Sequence, residues 1–470
     1  MLEMAVRLDK KAKTPVYLQL YNHIKKEITA GRMETGLKMA SIRELSAYLN
    51  ISKNTVETAY QQLCAEGYLV SEPKAGYFVN RIENIADLHA STASNEQAAV
   101  ACAGNNLARY DFSSDYLDEE SFNFSLWKRF IGKAMKDPQR YLSYGSHLGE
   151  PELRREIAKY LRHSRGVICS AEQVAIGAGV QSLLHVLCEV LKPRYETIAF
   201  EDPGFKKAQY IFKDHNFRII PIRLENDGID VNALAACGAK LVHVSPSHQF
   251  PTGSIMPVNK RVQLLKWAQA SEGMIIEDDY DSELRYFGRP IPSLQGLNNG
   301  ANVIYMGTFS KIFLPSLRIS YMVLPERLLS NYLEKAARYN QTSSTIEQIA
   351  LSLFMKDGLM EKHLRRLRKI YAKKNQLLTE SFGKIMKDKV VIRGQGTGLH
   401  LLLEIKSALT VEKIVELAEK AGVRVIPISS YSIEKTASKF PQVLLSYGGI
   451  PKEDIVPAVR LLNKAWFEGD

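Results

Sequence analysis

The chain has 470 residues, a formal net charge of +11, 45% hydrophobic and 24% charged residues. That is the make-up of an ordinary globular protein with room for two or three domains. No apolar run approaches the ~20 residues of a membrane-spanning helix, and residues 1–15 lack a signal-peptide apolar region, so no membrane partner is expected. The five cysteines (Cys64, Cys102, Cys169, Cys188, Cys237) have an odd count and no CxxC spacing. This argues against a disulfide framework or a metal site and for reduced thiols in a cytoplasmic protein. The positive excess points to a polyanionic partner. Residues 1–81 hold 12 Lys/Arg against 8 Asp/Glu, a net +4 in about a sixth of the chain.

In chain order, Thr14-Pro15 opens a first helix, with Leu18, Tyr21, Ile24 and Ile28 at helical spacing. Ser41 and Glu44 form a capping box for a short second helix, Ile42 to Leu49. Ser52 caps a third, Lys53 to Glu66, on which Val56, Ala59, Tyr60 and Leu63 face inward, and Gly67 stops it. Tyr68 to Val79 reads as two short strands around a turn at Glu72 to Gly76. Helix, tight turn, helix and hairpin make a winged helix-turn-helix, whose third helix enters the major groove by its N-terminal end. That end carries Ser52, Lys53, Asn54 and Thr55. Its free amides and the Ser52 hydroxyl suit a phosphate. Arg43 on the second helix and Lys74 at the wing tip add groove or phosphate contacts.

The stretch GLKMASIRELSAYLNISKNTVETAYQQLCAEGYL, with EPKAGYFV after it, resembles the GntR family of bacterial repressors. The resemblance implies a DNA-binding head over residues 1–80, with Ser41, Arg43, Ser52, Lys53, Asn54, Thr55, Lys74 and Gly76 at the DNA. The family usually carries Pro where Ala40 stands, which removes a rigid entry to the helix but no contacting group.

Residues 81–109 are rich in Ala, Ser and Asn without an apolar period and read as an interdomain linker. From residue 110 helical and strand-like runs alternate, which predicts an α/β body with a mostly parallel sheet and a smaller α+β subdomain. Ile176 to Gln181 opens a helix, Ser182 to Leu191, with small residues that let a phosphate approach backbone amides. Phe205 follows the strand Thr197 to Phe200. Ser245 to Gly253 follows the strand Lys240 to Val244. Met274 to Ser282 is a strand ending in a burst of acid, at the strand end where parallel sheets bind ligands. Lys311 sits in a polar turn between Val303–Met306 and the apolar run Ile319–Leu324. A lysine held between buried segments loses solvation and becomes a usable amine nucleophile. Thr308 and Arg318 flank it, a hydroxyl and a guanidinium that suit a phosphate.

A glycine turn, an aromatic, an Asp-x-Tyr and a Thr-x-x-Lys with a later Arg resemble the pyridoxal 5'-phosphate site of fold-type I aminotransferases. By that resemblance Lys311 forms the internal aldimine, Asp278 pairs with the ring nitrogen and Tyr280 with the ring hydroxyl. Phe205 stacks on the ring, and Gly179, Val180, Thr308 and Arg318 hold the phosphate. The whole arrangement is similar to the MocR subfamily of GntR regulators, through SPSHQFPTGSIMPVNKR, IIEDDYDSE and NVIYMGTFSK. It implies a head-to-tail homodimer that binds promoter DNA and senses an amine, an amino-acid-derived effector or the cofactor itself.

Two departures bear on chemistry. Neither Ile428–Tyr431 nor Val443–Tyr447 holds the arginine that grips a substrate carboxylate, and Ser430 stands where GabR-like members carry their effector-binding arginine. Phe250 stands where aminotransferases place Asn. Both weaken the case for efficient transamination. Lys207 and Arg393 are the candidate substitute cations, with Lys207 and Ser430 as effector-site candidates. The alternatives are an active aminotransferase whose head serves only dimerisation, and a DNA regulator with a dead pocket.

Overall fold

The computed structural model describes residues 8–9, 11–81, 108–113, 116–288, 291–434 and 438–468. The chain divides into two compact units, Met1–Asn106 and Leu107–Asp470. Most of the expected linker lies outside the described residues.

In the first unit three helices, α1 (Val16–Thr29), α2 (Ile42–Tyr48) and α3 (Lys53–Ala65), precede a hairpin of β1 (Leu69–Glu72) and β2 (Gly76–Val79). The caps are those the sequence predicts. The Glu44 amide donates to Ser41 Oγ at 3.3 Å and the Ser41 amide to Glu44 Oε2 at 2.9 Å. The Thr55 amide donates to Ser52 Oγ at 3.1 Å. Each such cap is worth about 1 kcal/mol. Lys74 turns the hairpin at φ 64°. The core joins Leu20 and Ile24 of α1 to Val56, Ala59, Tyr60 and Leu63 of α3, all fully buried. Leu18, expected in the stripe, is only half-buried. With the helix starting at Val16, the 3.6-residue period carries the inner face through Leu20, Tyr21, Ile24 and Ile28 instead. The Tyr60 hydroxyl donates to the carbonyl of Ala40 at 3.0 Å, tying α3 to the start of α2.

The second unit opens with β3 (Tyr110–Asp111). It is organised on β4 (Val174–Gly177), β5 (Thr197–Asp202), β6 (Arg218–Glu225), β7 (Gly228–Ile229), β8 (Leu241–Val244), β9 (Met274–Asp279), β10 (Val303–Thr308) and β11 (Ser320–Val323). Their order in the sheet is β4-β11-β10-β9-β8-β5-β6-β7. β10, β9, β8, β5 and β6 are mutually parallel. β11 runs against both β10 and β4, and β7 against β6. The sheet is therefore mixed at its edges and parallel in its middle. A second, antiparallel sheet has the order β12 (Val390–Arg393), β13 (His400–Ile405), β16 (Gln442–Ser446) and β15 (Ile426–Pro427). β14 (Val423–Arg424) pairs with β3. Helices Leu359–Ile385 and Ile455–Phe467 pack Leu378, Phe382 and Trp466 against this smaller sheet. Among the described residues no helix is long and apolar enough to cross a membrane.

β4, β5, β8, β9 and β10 point the same way, so their following loops emerge on one side of the large sheet. These loops carry Gly179, Phe205, His248, Tyr280 and Lys311. This is where an open α/β sheet binds ligands.

Candidate functional site

The strand-end loops and the small sheet enclose a cavity of about 280 Å³. Gly179, Val180, Phe205, Lys207, Asp278, Tyr280, Thr308, Lys311 and Arg318 all line it. They come from four separate segments of the chain, at the ends of β4, β5, β9 and β10.

One end is built for an anion. Gly179 is the N-cap of helix Val180–Leu191, at φ 92°. The helix begins two residues before the expected Ser182, so its first amides open directly onto the cavity. A side chain at Gly179 would collide with the Arg318 guanidinium. Arg318 itself takes a left-handed φ of 52° and donates to the Ala178 carbonyl at 3.2 Å, bringing guanidinium and helix start together. Thr308 Oγ1 accepts from the Ser310 amide at 3.1 Å and lies 2.8 Å from Ser320 Oγ, which fixes its rotamer. Lys311 is half-buried beside the fully buried Phe309 and Ile312.

The acidic burst of β9 is sorted by partner. Expected as acid at a strand end, it is buried throughout. Glu277 accepts from the amides of Leu294 and Gln295 at 2.9 and 3.0 Å. Asp279 pairs with Arg165 at 2.7 Å and accepts from Tyr305. Asp281 meets His248 Nδ1 at 2.7 Å, and Glu283 accepts from Tyr160 at 2.7 Å. Asp278 alone of these five faces the cavity. Its nearest ionisable nitrogen is His243 Nε2 at 3.8 Å, and it accepts no hydrogen bond from a described residue. Burial, then the charges of Asp279 and Asp281, push Asp278 up to about 7. Burial pushes His243 down to about 4, so at neutral pH this contact is no ion pair.

Tyr280 Oη lies 3.0 Å from His248 Nδ1, and burial raises its hydroxyl well above the ordinary range. Phe205 stands 6.2 Å from the His243 ring, tilted by 34°. Phe250 packs edge-on against Tyr431 at 4.8 Å.

The effector-site candidates divide. Lys207 lines the cavity, together with Lys206. Ser430 does not. Its side chain is exposed, and its carbonyl accepts from Lys206 Nζ at 2.9 Å. The turn Ile428–Tyr431 is a single 3-10 turn, and it presents Tyr431 to the cavity instead. Arg393 is turned to Glu404 at 3.9 Å and lies outside the lining. Sequence reasoning gave no role to His243, His248, Asp281, His400, Tyr116 or Tyr431. For His243 the strand alternation of LVHV was a usable signal; for the small-sheet residues no local signal exists.

In the first unit Arg43, Lys53, Asn54 and Lys74 are exposed. Ser41 and Ser52 are exposed too, but their hydroxyl oxygens already accept from the cap amides. Thr55 is half-buried, with its hydroxyl 2.7 Å from Ser52 Oγ. This leaves the backbone amides and side chains of Lys53 and Asn54 as the first-turn groups free of capping duty among the described residues. Gly76 sits at φ 113° where the wing returns beside Lys38.

Comparison with known proteins agrees with both units. Residues 16–79 match the family model of bacterial regulatory proteins of the gntR family, and residues 113–440 that of aminotransferases of class I and II. The chain is 41% identical to the HTH-type transcriptional regulator YdeL of Bacillus subtilis, over 98% of each chain. It is 31% identical to the probable rhizopine catabolism regulatory protein MocR of Rhizobium meliloti, over 98% of this chain and 95% of that one. Pyrococcus horikoshii kynurenine aminotransferase, solved in complex with PMP, shares the body's fold at a TM-score of 0.70 and 22% identity, over 82% of this chain and 94% of that one. The chain belongs to the MocR-type transcriptional regulators, which join a DNA-binding GntR head to an aminotransferase-like body.

Proposed function

We propose that the cavity holds pyridoxal 5'-phosphate, that an amine effector meets it there, and that the outcome changes how the head binds promoter DNA. One observation carries this reading. Nine residues of matching chemistry from four segments of the chain line a single cavity, among them a lysine, a buried carboxyl, a guanidinium and a helix start.

The residues fit the group. Asp278 is a buried carboxyl with no hydrogen-bond donor among the described residues, and it is raised to about 7. A protonated ring nitrogen is the partner that would restore its charge. The missing side chain at Gly179 lets the Arg318 guanidinium approach the helix start, and that pairing of guanidinium and amides suits a phosphate. When bound, the cofactor supplies an aldehyde that condenses reversibly with primary amines and a ring that withdraws electrons.

The chain's own groups divide the work. Lys311 offers the amine that an effector amine competes with. Arg318, Thr308 and the amides after Gly179 grip the phosphate. Asp278 orients the ring and keeps its nitrogen protonated. Phe205 would stack on the ring, and Tyr280 would donate to the ring hydroxyl. Lys206 and Lys207 stand at the mouth as cations for an anionic effector group. Phe250 and Tyr431 give the small-sheet wall an aromatic surface. In the head, Lys53, Asn54 and Arg43 meet the groove and Lys74 a phosphate. The protein acts in the cytoplasm as a head-to-tail homodimer, as the family resemblance implies.

The test is spectral and electrophoretic. Purified protein mixed with pyridoxal phosphate should gain a visible band that Lys311→Ala loses. Titration with candidate amines should shift that band and the promoter gel shift together. A protein that stays colourless with excess cofactor refutes the reading.

A further inference from the structure

Behind Tyr280 lies a set of ionisable side chains with no part in the chemistry above. His248 Nδ1 stands 2.7 Å from Asp281 Oδ1 and 3.0 Å from Tyr280 Oη. His248 is 2% exposed and Asp281 1%. The His400 ring stacks on His248 with centroids 4.6 Å apart, and His400 lines the cavity. The backbone makes room for the pair. Gly398 sits at φ 72°, and a side chain there would collide with His248 and Asp281.

The position of one hydrogen decides what Tyr280 can do. A neutral imidazole carries it on Nδ1 or on Nε2. With the hydrogen on Nε2, Nδ1 would set its lone pair against the Asp281 carboxylate at 2.7 Å. It would also bury an N–H at Nε2, which has no hydrogen-bond partner among the described residues. With the hydrogen on Nδ1, the ring donates to Asp281, the lone-pair clash is gone, and Nε2 keeps a bare acceptor in place of a buried N–H. Tyr280 Oη then faces a donor at 3.0 Å and can only accept from it. Its own proton is left to point into the cavity that Tyr280 lines. In the other tautomer Nδ1 would take that proton, and the hydroxyl would be spent inside the wall.

We propose that Asp281 and His248 are positioning residues: Asp281 locks His248 as the Nδ1–H tautomer, and the locked ring keeps the Tyr280 hydroxyl available as a donor to a ligand in the cavity. The identity of the acceptor, the cofactor ring hydroxyl, rests on the function proposed above; the tautomer does not. His248, Asp281 and His400 offer ligand atoms within 4.8 Å of one another, close enough for a metal ion. The short Asp281–His248 contact engages those two groups with each other instead. Burial, then His248 and Lys311, hold His400 well below its ordinary range, so it stays neutral and does not compete for Asp281.

Cofactor-free protein labelled with nitrogen-15 in its histidine rings provides the first test. The signals lost in His248→Gln identify this ring. Long-range proton–nitrogen correlation should show Nδ1 protonated and Nε2 bare, and Asp281→Asn should move the population toward Nε2–H. Tyr280→Phe should shift the Nδ1 resonance and keep the tautomer, which serves if Asp281→Asn does not fold. A wild-type ring protonated on Nε2, a ring that loses its Nδ1 proton on adding zinc, or an unchanged tautomer in folded Asp281→Asn overturns the proposal. The second test uses protein loaded with pyridoxal phosphate and follows loss of the visible band on dilution. Tyr280→Phe and Asp281→Asn should each speed the loss severalfold, and the double variant should be no faster than the faster single. Multiplying effects would mean the two residues act independently, which also overturns it. Failure to bind pyridoxal phosphate at all sinks the cofactor reading, while the tautomer stands or falls on the cofactor-free spectrum.

Discussion

The head carries its candidate DNA contacts on one stretch, Ser41 to Gly76, whereas the body's cavity draws on residues as far apart as Ser113 and Gly448. In the head the geometry is set by neighbours three residues away: Ser41 with Glu44, Ser52 with Thr55. In the body several side chains around the cavity are held by partners from distant segments, as His248 is by Asp281 and Arg318 by the Ala178 carbonyl. A head of this kind keeps its contacts when the body changes. A cavity of the other kind responds to change anywhere along its walls. The two should therefore be separable by mutation, each losing its own readout and keeping the other's.

The largest effect should come from Lys311→Ala, which is expected to abolish the visible band of cofactor-loaded protein while the cofactor-free protein still shifts promoter DNA; loss of both would break the separation. Asp278→Ala should follow, with cofactor retention weakened about tenfold or more, on the scale of a lost charge-assisted contact, as read by dialysis and absorbance. Asp278 also makes a pH prediction. Its cofactor-free value of about 7 lies above the ordinary 3.8. Between these values the folded chain keeps a proton that the unfolded chain releases, so its contribution to stability falls as pH rises from about 4 through 7. Asp278→Asn should flatten that part of a melting-temperature profile. Some slope should remain, because burial also pushes Glu201 and Glu277 up to about 7.

Smaller effects should sharpen the contrast. Lys206→Ala with Lys207→Ala should weaken carboxylate-bearing amines roughly tenfold and leave uncharged amines unchanged, measured by spectral titration. Equal weakening of both classes would place the anion grip elsewhere. In the head, Lys53→Ala or Arg43→Ala should lower operator affinity severalfold and reduce the salt slope by about 0.9 per lost phosphate contact, with the visible band intact. An unchanged gel shift for both would refute this docking. Ser41→Ala should be the mildest, costing about 1 kcal/mol of head stability in a thermal melt.

Much of the fold was legible because its signals are short-range. Caps at Ser41 and Ser52, the inward stripe of α3 and the strand runs at residues 274 and 303 each report hydrogen bonding or periodicity within a few residues. The one slip in the head, Leu18 for Leu20, is a phase error along a correctly located helix. In the body, the residues that line the cavity at the large sheet were readable because each ends or follows a strand, and parallel strands deliver their following loops to one side. The small-sheet wall was not readable. Ser430 was inferred from its place in the chain, but a 3-10 turn there directs Tyr431 inward and leaves Ser430 outside.

The sequence by itself determined two units, the winged-helix pattern, the strand ends and the residue types at the cavity. These depend on backbone geometry and on the order of apolar and polar residues. Only the tertiary structure decided which of the acids around β9 looks into the cavity, which cation pairs away from it, and that His248 stands between Asp281 and Tyr280. Such choices rest on partners and desolvation supplied by segments distant in the chain, and no local pattern carries them.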